Sequence, residues 1–477
     1  MFALTALLVA VSLSSPAGSE PASPSAAKPN IIFILTDDLA WNLVQYMPNV
    51  QAMQRDGLTF TNYFVTDSLC CPSRSSILTG KLPHDTQVFT NTPPFGGYES
   101  FNAHGNEAHT FAVALQSGGY RTAMLGKYLN GYEPARDGVR QGWNDWDVAG
   151  NGYPEFHYAL NENGRVVQYG TDPKDYLTDV ASNIADAFVR RGSPFFIEIA
   201  TFAPHAPYIP APRDADKFPG LGAPRGAAFG ARPGPAAPKW LKDIPPLRPV
   251  DITNIDRDFR MRAQAVQAVD QMIGRLRATI AALNEQNNTY IIFSSDNGYH
   301  MGEYSLRPGK MTAYETDIRV PLIVVGPGVA SGVSLDAIVE NIDLAPTFTE
   351  LAGAAGATNP DGHSLTPLFA GKPVADWRRV ALVEHRHPGY NLTDPDMPVR
   401  HSANPPTYEA IRDAEGTYVE YETGETTYYD LTQDPNELRN FISTLPAATR
   451  QKLHQILMAN SSCHGPAQCW QAQSMKP

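Results

Sequence analysis

Short apolar runs that end abruptly in polar residues recur along the chain. In PNIIFILTDD, the apolar stretch 31–35 is followed within three residues by Asp37 and Asp38. A run that is apolar at consecutive positions is typical of a strand buried on both faces of a parallel sheet. YRTAMLGKY, PFFIEIATFAPH and TYIIFSSDNGYH have the same form, and their polar ends are Lys127, His205, and Asp296 with Asn297 and His300. A further run, VPLIVVGPG, is predicted to close this series of strands.

Helical patterns lie between these runs, most clearly at 175–191 and 258–283. Strands that alternate with helices predict an α/β fold, with a mostly parallel sheet flanked by helices. Ligands of such sheets bind at the carboxyl ends of the strands. The polar residues at those ends are therefore expected to converge, although they are far apart in sequence.

Nearer the C-terminus, this alternation gives way to short strand-like segments separated by turns, which predicts a meander of antiparallel strands. A helix at 447–458 is expected to cover it. We place the domain boundary near 355–375. The chain then consists of an α/β domain at 28–365, a smaller antiparallel-sheet subdomain at 372–460 and a tail at 461–477.

The segment 204–249 is rich in Pro, Gly and Ala and shows little periodicity. A structureless segment of this length inside a compact domain is usually functional or mobile. Because it begins beside His205, it is either a lid or substrate-binding wall, or a surface loop without a role in binding.

The N-terminus carries an apolar run at 2–13 followed by small residues. This run has the length of a signal-peptide core and is too short to span a bilayer. It predicts a signal peptide at approximately 1–19 and an exported protein, although no Lys or Arg precedes the run. No later segment has the pattern of a membrane span.

The net charge of −12, from 37 basic and 49 acidic residues, argues against nucleic acid as a partner. A local basic pocket can still bind an anion. Arg74, Lys127 and Lys310 are the cations that we expect to form such a pocket, since three cations beside a hard metal ion suit a tetrahedral oxyanion such as sulfate or phosphate. His205 is a candidate acid for the leaving group.

Two acidic pairs that follow strands offer ligands for a hard cation. Asp37, Asp38, Asp296 and Asn297 supply only oxygen, which favours Ca²⁺ or Mg²⁺ over zinc. Taken singly, each pair is also an ordinary strand exit or helix cap. The cationic residues expected nearby favour the interpretation of these pairs as a metal site.

Four cysteines are present, and two of them are adjacent. Cys70 and Cys71 fit neither a disulfide, whose geometry neighbours rarely provide, nor a zinc site with spaced ligands. Cys463 and Cys469 flank a Gly-Pro turn and either pair in an oxidising compartment or remain free thiols on the tail.

CCPSRSSILTG has the form Cys-x-Pro-Ser-Arg followed by Leu-Thr-Gly, which resembles the signature of type I sulfatases. The resemblance extends over nearly the whole chain through LTDD, GKYLNGY, APHAPY, SDNGYHMGEYSL, GKMTAYETDIRVPLIVVGPG, NIDLAPT and YYDLTQDPNE. The doubled Cys, GKYLN, SDNGYH and the late Cys pair are most similar to the N-acetylglucosamine-6-sulfatase branch.

This resemblance implies an alkaline-phosphatase-like fold and a Cys70 that a formylglycine-generating enzyme oxidises to Cα-formylglycine. It implies that Arg74 steadies the formylglycine, and that Cys71 fills a variable position. The implied Ca²⁺ ligands are Asp37, Asp38, Asp296, Asn297 and the modified Cys70. The implied sulfate-binding and catalytic residues are Lys127, Lys310 and His205. His300 is either a candidate for substrate contact or a loop histidine with satisfied hydrogen bonds, and His84 is a weaker candidate. Leu129 stands where many sulfatases have a second His.

The function that follows is a secreted Ca²⁺-dependent sulfatase acting on the 6-O-sulfate of N-acetylglucosamine-containing glycans. An arylsulfatase, or a sulfatase for another sulfated sugar, is the first alternative. A phosphatase or phosphodiesterase of the same fold is a second, although such enzymes use Ser or Thr and His-rich zinc sites. An exported anion-binding or carbohydrate-binding protein with an inactive site is the third.

Overall fold

The computed structural model describes residues 28–355, 359–389, 391, 394 and 396–477. The predicted signal peptide lies outside these residues, as does a short part of the predicted domain boundary. No helix in the described part of the chain is both long enough and apolar enough to cross a membrane.

The core of the fold is a ten-stranded sheet with the strand order β10-β2-β9-β8-β1-β7-β3-β4-β5-β6. Its strands are β1 (Asn30–Thr36), β2 (Leu58–Phe64), β3 (Arg121–Lys127), β4 (Asp145–Ala149), β5 (Ala159–Glu162), β6 (Arg165–Gln168), β7 (Phe195–Ala200), β8 (Thr289–Ser295), β9 (Leu322–Val325) and β10 (Val333–Glu340). The central strands β8, β1, β7, β3 and β4 are mutually parallel. The predicted mostly parallel α/β architecture is therefore confirmed.

The strand from VPLIVVGPG lies inside the sheet and runs antiparallel to both of its neighbours, β2 and β8. Our expectation that it closes a parallel series was wrong. Parallel neighbours need a crossover, which is usually a helix. The connection from β8 to β9 holds only the one-turn helix Glu315–Ile318, so the chain turns back beside β8.

Thirteen helices lie in the described part of the chain, and those of the α/β domain cover both faces of the ten-stranded sheet. They are α1 (Pro48–Asp56), α2 (Cys70–Thr79), α3 (Pro83–Thr86), α4 (Gly97–Ala103), α5 (Phe111–Ser117), α6 (Pro134–Asp137), α7 (Leu177–Val189), α8 (Lys239–Lys242), α9 (Pro249–Ala282), α10 (Glu315–Ile318), α11 (Leu344–Ala352), α12 (Ala447–Ser461) and α13 (Gly465–Gln473). Short 3₁₀ turns lie at Trp41–Tyr46, Asn106–His109, Pro173–Asp175, Pro212–Asp214, Gln286–Asn288, Asn341–Asp343, Thr366–Leu368 and Ile442–Thr444.

The two faces bury separate apolar clusters. α1, α7 and α9 pack on one face, where the even-numbered side chains of β1 such as Ile32 lie, and α2, α5 and α11 pack on the other, beside Phe33. This alternation follows from the pleat of a strand. α9 starts nine residues before the predicted helix because Pro249 occupies its first turn, where a missing N–H costs nothing.

The C-terminal subdomain is a four-stranded antiparallel sheet in the order β11 (Ala381–His385), β12 (Tyr408–Arg412), β13 (Gly416–Tyr421) and β14 (Thr426–Asp430). α12 covers it, close to the predicted helix at 447–458. The segment predicted as a tail is instead ordered: α13 is tied to the end of α12 by a disulfide between Cys463 and Cys469, both buried. The apolar packing of α13 against α12 accounts for this.

Candidate functional site

The predicted site residues come together, buried, where β1, β3, β7 and β8 end and α2 begins. They are Asp37, Asp38, Cys70, Arg74, Lys127, His205, Asp296, Asn297 and Lys310. Residues up to 272 positions apart are in contact there. The carboxyl ends of parallel strands lie at one edge of a sheet, which explains why separated motifs meet.

α2 positions Cys70 at its first residue. Leu69 before it is extended, Pro72 lies in the first turn, and Gly80 ends the helix with φ 73° and an N–H that donates to the Ser76 carbonyl over 2.8 Å. This left-handed position suits glycine, which has no Cβ to clash. All ten residues of the helix are buried. The Cys70 side chain thus lies at the positive end of the helix dipole.

A cluster of acidic and amide oxygens lies beside Cys70. The Cys70 Sγ is 3.1 Å from the Asp37 Oδ1, and the Asp38 N–H donates to the Asp296 Oδ1 over 3.1 Å. The Asn297 Nδ2 donates to the Asp38 Oδ1 over 2.7 Å. Ligand atoms of Asp37, Asp38, Cys70 and His205 all lie within 4.8 Å of one another.

The backbone of Asp38 is held in an unusual conformation at this point. Its φ is 63°, a left-handed value that is uncommon for a residue other than glycine. The buried Arg262 guanidinium donates to the Asp38 carbonyl, and the Asp296 carboxylate accepts from the Asp38 N–H. Strain of this kind persists where surrounding groups hold it, and it clusters at active sites.

The cluster fits a hard cation. The Asn297 Oδ1 is buried and has no hydrogen-bond partner among the described residues, although its amide nitrogen is bonded. An unpartnered buried oxygen beside three carboxylates is suited to a cation that takes oxygen ligands, such as Ca²⁺. Asp37, Asp38, Asp296 and Asn297 are the residues that would hold it.

Arg74 is hydrogen-bonded to this acidic cluster and to the end of β3. Its Nε donates to the Asp296 Oδ2 over 2.8 Å, and its Nη1 donates to the Lys127 carbonyl over 3.0 Å. Burial disfavours the Asp296 carboxylate, but the charges of Arg74, Lys127 and Lys310 outweigh it and lower the pKa of Asp296 to about 2. Asp296 is therefore anionic at neutral pH.

Two lysines flank the Cys70 sulfur. The Lys127 Nζ lies 2.5 Å from the Asp37 Oδ2, and the Lys310 Nζ lies 2.7 Å from the Asp38 Oδ1 and 2.8 Å from the Cys70 Sγ. Burial opposes their charge, but the adjacent carboxylates raise the pKa of both lysines well above its ordinary value. Burial and the charge of Asp37 also raise the pKa of the Cys70 thiol. An unmodified Cys70 would remain a protonated thiol, which is a poor nucleophile.

His205 is hydrogen-bonded at both ring nitrogens. Its Nδ1 lies 2.7 Å from the Ala206 carbonyl oxygen, and its Nε2 lies 2.5 Å from the Asp396 Oδ1. Burial opposes protonation, but Asp396 and Asp38 raise the pKa of His205. Asp396 was not among our predicted residues. It comes from the connection between β11 and β12, so the C-terminal subdomain contributes a side chain to the site.

His300 has a different place from the one that we expected. Its Nδ1 lies 3.0 Å from both carboxylate oxygens of Asp317, and its Nε2 lies 2.5 Å from the Ser402 carbonyl oxygen. Both ring nitrogens are thus engaged and the ring is buried. This corrects the expectation of a substrate contact: His300 ties the loop after β8 to the C-terminal subdomain.

Leu129, which stands where the family resemblance would place a second histidine, packs in the apolar core. Tyr153 lies on this side of the site instead. Its ring centroid is 4.9 Å from the Lys127 Nζ and 4.4 Å from the His205 ring centroid. The Asn130 Nδ2 donates to the Tyr153 hydroxyl over 3.2 Å. An aromatic ring beside an ammonium group is a favourable cation–π arrangement.

His84, a residue of α3, lies away from the site and faces the end of α12 at the Cys463–Cys469 disulfide. Its Nδ1 is 2.9 Å from the Glu384 Oε2 and its Nε2 is 2.8 Å from the Cys463 carbonyl oxygen. Two acceptors favour a doubly protonated ring. Burial opposes this, but the Glu384 hydrogen bond and charge raise the pKa of His84 from its ordinary 6.5 to about 9.

This raised pKa predicts a pH-dependent contribution to stability. The contribution is fully present below pH 6.5 and is lost as the pH rises through about 9. His84→Gln is expected to lower the free energy of unfolding at pH 6 by on the order of 2 kcal/mol, with a smaller deficit at pH 10. Urea unfolding at both pH values measures it.

His454→Gln is the matched control, because His454 also pairs with a glutamate, Glu420 at 2.8 Å, but is about half exposed. Its effect on the free energy of unfolding is expected to stay within about 0.5 kcal/mol. A deficit for His84→Gln that is equal at pH 6 and pH 10 contradicts the assignment of a charged His84.

Site residues line two cavities. One, of about 440 Å³, is lined by His205, Lys310, Asp396, Tyr299, Arg248 and Asp258 among others. The other, of about 420 Å³, is lined by residues that include Lys127, Tyr98, Asn130, Tyr153, Glu133 and Asp394.

The segment 204–249 supplies part of the wall of the first cavity. It enters beside His205 and Tyr208 and leaves at Arg248, and these three residues line the cavity. Its middle part packs Leu241 against Tyr304 and Tyr429, so it is anchored to the C-terminal subdomain. This placement favours the substrate-wall alternative.

Comparison with protein families gives two matches. The family model described as "Sulfatase" matches residues 29–354, and the model described as "N-sulphoglucosamine sulphohydrolase, C-terminal" matches residues 302–462. Together they span both sheets of the structure.

Similar proteins and structures point the same way. The N-acetylglucosamine-6-sulfatase of Homo sapiens is 35% identical over 92% of this chain and 85% of its own length. An arylsulfatase of Volvox carteri is 30% identical over 93% of this chain and 76% of its own length. A solved structure, of a protein in complex with its substrate D-glucosamine-2-N,6-O-disulfate, has a TM-score of 0.77 and 24% identity, covering 94% of this chain and 100% of that one. This last likeness concerns the fold and agrees with the predicted alkaline-phosphatase-like architecture.

Proposed function

This chain belongs to the sulfatase family, and we propose that it removes the 6-O-sulfate of N-acetylglucosamine-containing glycans through a Cα-formylglycine made from Cys70. As a sulfatase, it hydrolyses sulfuric esters. The observation that carries the proposal is the arrangement around Cys70: Lys310 touches its sulfur at 2.8 Å, and Asp37 lies 3.1 Å away on another side.

The substrate class rests on similarity and on the shape of the site. The human N-acetylglucosamine-6-sulfatase aligns over most of the length of both proteins, at 35% identity. Both cavities combine aromatic rings with hydrogen-bonding side chains, such as Tyr98 and Glu133, or Tyr299 and Asn254. Aromatic faces and hydrogen-bonding groups together suit a sugar ring.

Two groups that the fold family implies would supply the reacting centre. A bound Ca²⁺ would stabilise negative charge at the start of α2, and Asp37, Asp38, Asp296 and Asn297 would hold it. A hydrated aldehyde at residue 70 would supply one hydroxyl group that attacks sulfur and a second that allows sulfate to leave.

The side chains of the protein then have separable tasks. Lys127 and Lys310 bind the sulfate oxygens and offset the charge that grows on them. Arg74, fixed by Asp296 and the Lys127 carbonyl, holds the acidic cluster in place. His205 is protonated at its Nε2 and, once Asp396 no longer accepts that proton, can donate it to the departing alcohol oxygen.

We also propose that the protein is exported. The apolar run at 2–13 supports this, since it has the length and flanking small residues of a secretory signal. The disulfide between Cys463 and Cys469 fits an oxidising compartment.

The test is sulfate release by protein co-expressed with a formylglycine-generating enzyme and supplied with Ca²⁺. N-acetylglucosamine-6-sulfate and p-nitrophenyl sulfate are compared at equal concentrations. We expect kcat/KM for the sugar to exceed that for the aryl ester by at least about tenfold, because a polar sugar can use the hydrogen-bonding groups of the cavities. Turnover of the aryl ester alone contradicts the proposed substrate and indicates a sulfatase of another specificity.

A further inference from the structure

The Asp396 carboxylate is bound as an oxyanion would be. Its Oδ1 lies 2.5 Å from the His205 Nε2 and 2.7 Å from the Lys310 Nζ. Its Oδ2 accepts from the Asn91 Nδ2 over 2.7 Å and from the Asn130 Nδ2 over 3.1 Å. Two cationic and two amide donors around one buried anion form a built anion site.

This anion site is preorganised by the signature helix. The Asn91 Oδ1 accepts from the N–H of Cys71, in the first turn of α2, over 2.9 Å. The amide oxygen is thereby fixed, so the Nδ2 of the same side chain points at Asp396. Asn130 follows shortly after Lys127 at the end of β3. The donors therefore belong to the α/β domain, and the anion is supplied by the C-terminal subdomain.

Asp396 also stands between groups that a sulfate must reach together. Lys127 lines the cavity of about 420 Å³, whereas His205 and Lys310 line the cavity of about 440 Å³. Asp396 lines the cavity of about 440 Å³, and Asp394 lines the cavity of about 420 Å³. A sulfate held by both lysines must reach the Lys310 Nζ, and the Asp396 carboxylate now lies 2.7 Å from that atom.

We propose that Asp396 is a further residue of the sulfate site, whose carboxylate occupies the place of sulfate oxygens while no ester is bound. It leaves His205 and Lys310 when the ester binds and returns to them when product sulfate departs. This inference rests on the proposed function, since it takes the anion at this site to be a sulfate group.

The physical reason is competition between like charges for the same donors. A carboxylate and a sulfate cannot both accept from the Lys310 Nζ and the His205 Nε2 without lying within a few ångströms of each other. The apparent affinity for an anion equals the affinity of the open site multiplied by the fraction of molecules in which the site is open. Asp396 thus weakens the retention of free sulfate and favours product release.

The experiment compares the binding of inorganic sulfate to the full-length, formylglycine-containing protein in Ca²⁺ and to its Asp396→Asn variant. Isothermal titration calorimetry gives Kd directly, without turnover. We expect Kd to fall by about tenfold in Asp396→Asn, because the amide keeps the size of the side chain and removes its charge. Product inhibition by sulfate should tighten by a similar factor.

Asp258→Asn is the matched control. Asp258 lines the same cavity as Asp396, but it pairs with Arg257 at 2.7 Å and not with His205 or Lys310. Its Kd for sulfate is expected to stay within about twofold of wild type, since the charge is farther from the anion site and screened.

A Kd for sulfate that is unchanged or higher in Asp396→Asn overturns the inference, as does a lack of sulfate binding by both proteins. A higher KM with unchanged kcat also overturns it and makes Asp396 a binding partner of the sugar. Turnover of N-acetylglucosamine-6-sulfate by the wild-type enzyme tests the proposed function separately, so a failure of the proposed function is distinguishable from a failure of the inference.

Discussion

Cys70→Ala is expected to abolish sulfate ester hydrolysis, with kcat/KM reduced at least about a thousandfold, because it removes the side chain that would become the nucleophile. Cys71→Ala is expected to keep most of the activity. The surroundings of the two side chains differ. The Cys70 Sγ contacts Asp37 and Lys310, whereas Cys71 packs in the apolar core.

The pair of variants forms its own control, since the same substitution is made at neighbouring buried positions of one helix. Sulfate release is measured for both proteins after co-expression with a formylglycine-generating enzyme, and peptide mass spectrometry reports whether residue 70 was converted. Circular dichroism shows that each variant is folded. Full activity of Cys70→Ala, or inactivity of a folded Cys71→Ala, means that the wrong cysteine has been assigned.

Asp296→Asn is expected to weaken Ca²⁺ binding by about a hundredfold or more, because Ca²⁺ affinity depends on the number of charged ligands. Asp296 is completely buried, and its Oδ1 accepts from the Asp38 and Asn297 N–H groups. The asparagine retains these acceptor positions and removes one negative charge. It is a sharper test than alanine, because asparagine keeps the size of the side chain and an Oδ1 acceptor, and only the acceptor for the Arg74 Nε is lost.

Ca²⁺ affinity is measured by calorimetry on chelator-treated protein, and the Ca²⁺ dependence of sulfate release is measured in parallel. Asp147→Asn is the control, since Asp147 is a buried carboxylate on β4 of the same sheet and lies outside the acidic cluster. A Kd for Ca²⁺ equal to that of wild type contradicts the assignment of Asp296 as a ligand.

Three of the residues that sequence reasoning brought to the site stand at the boundary of a regular element. Asp37 and Asp296 come immediately after β1 and β8, and Cys70 opens α2. The length and the end of an apolar run can be identified from the amino-acid sequence, so the end of the strand can be predicted. The meeting point of several such ends then follows from the geometry of a parallel sheet.

Asp396 had no such signal. It lies in an irregular connection between β11 and β12 of the other subdomain, and its contact with His205 spans 191 positions. The local sequence pattern does not indicate that this connection contacts the α/β domain. The PDMP stretch around it offers only a carboxylate beside prolines, a pattern common in ordinary turns.

The direction of β9 and the role of His300 were missed for a related reason. A short apolar run reads the same whether its neighbours are parallel or antiparallel, so VPLIVVGPG carries no information on direction. His300 does follow a strand end, like the true site residues. Its partners Asp317 and Ser402 come from two further segments of the chain, and these capture both ring nitrogens.

The complete burial of α2 imposes an order of events on biosynthesis. Cys70 has no exposed surface, and the groups that cover it, among them Asp37 and Lys310, come from distant parts of the chain. Under the proposed chemistry, an oxidising enzyme can reach this side chain only on a nascent or unfolded polypeptide. A molecule that folds first is then trapped as a thiol, and treating the purified protein afterwards cannot activate it.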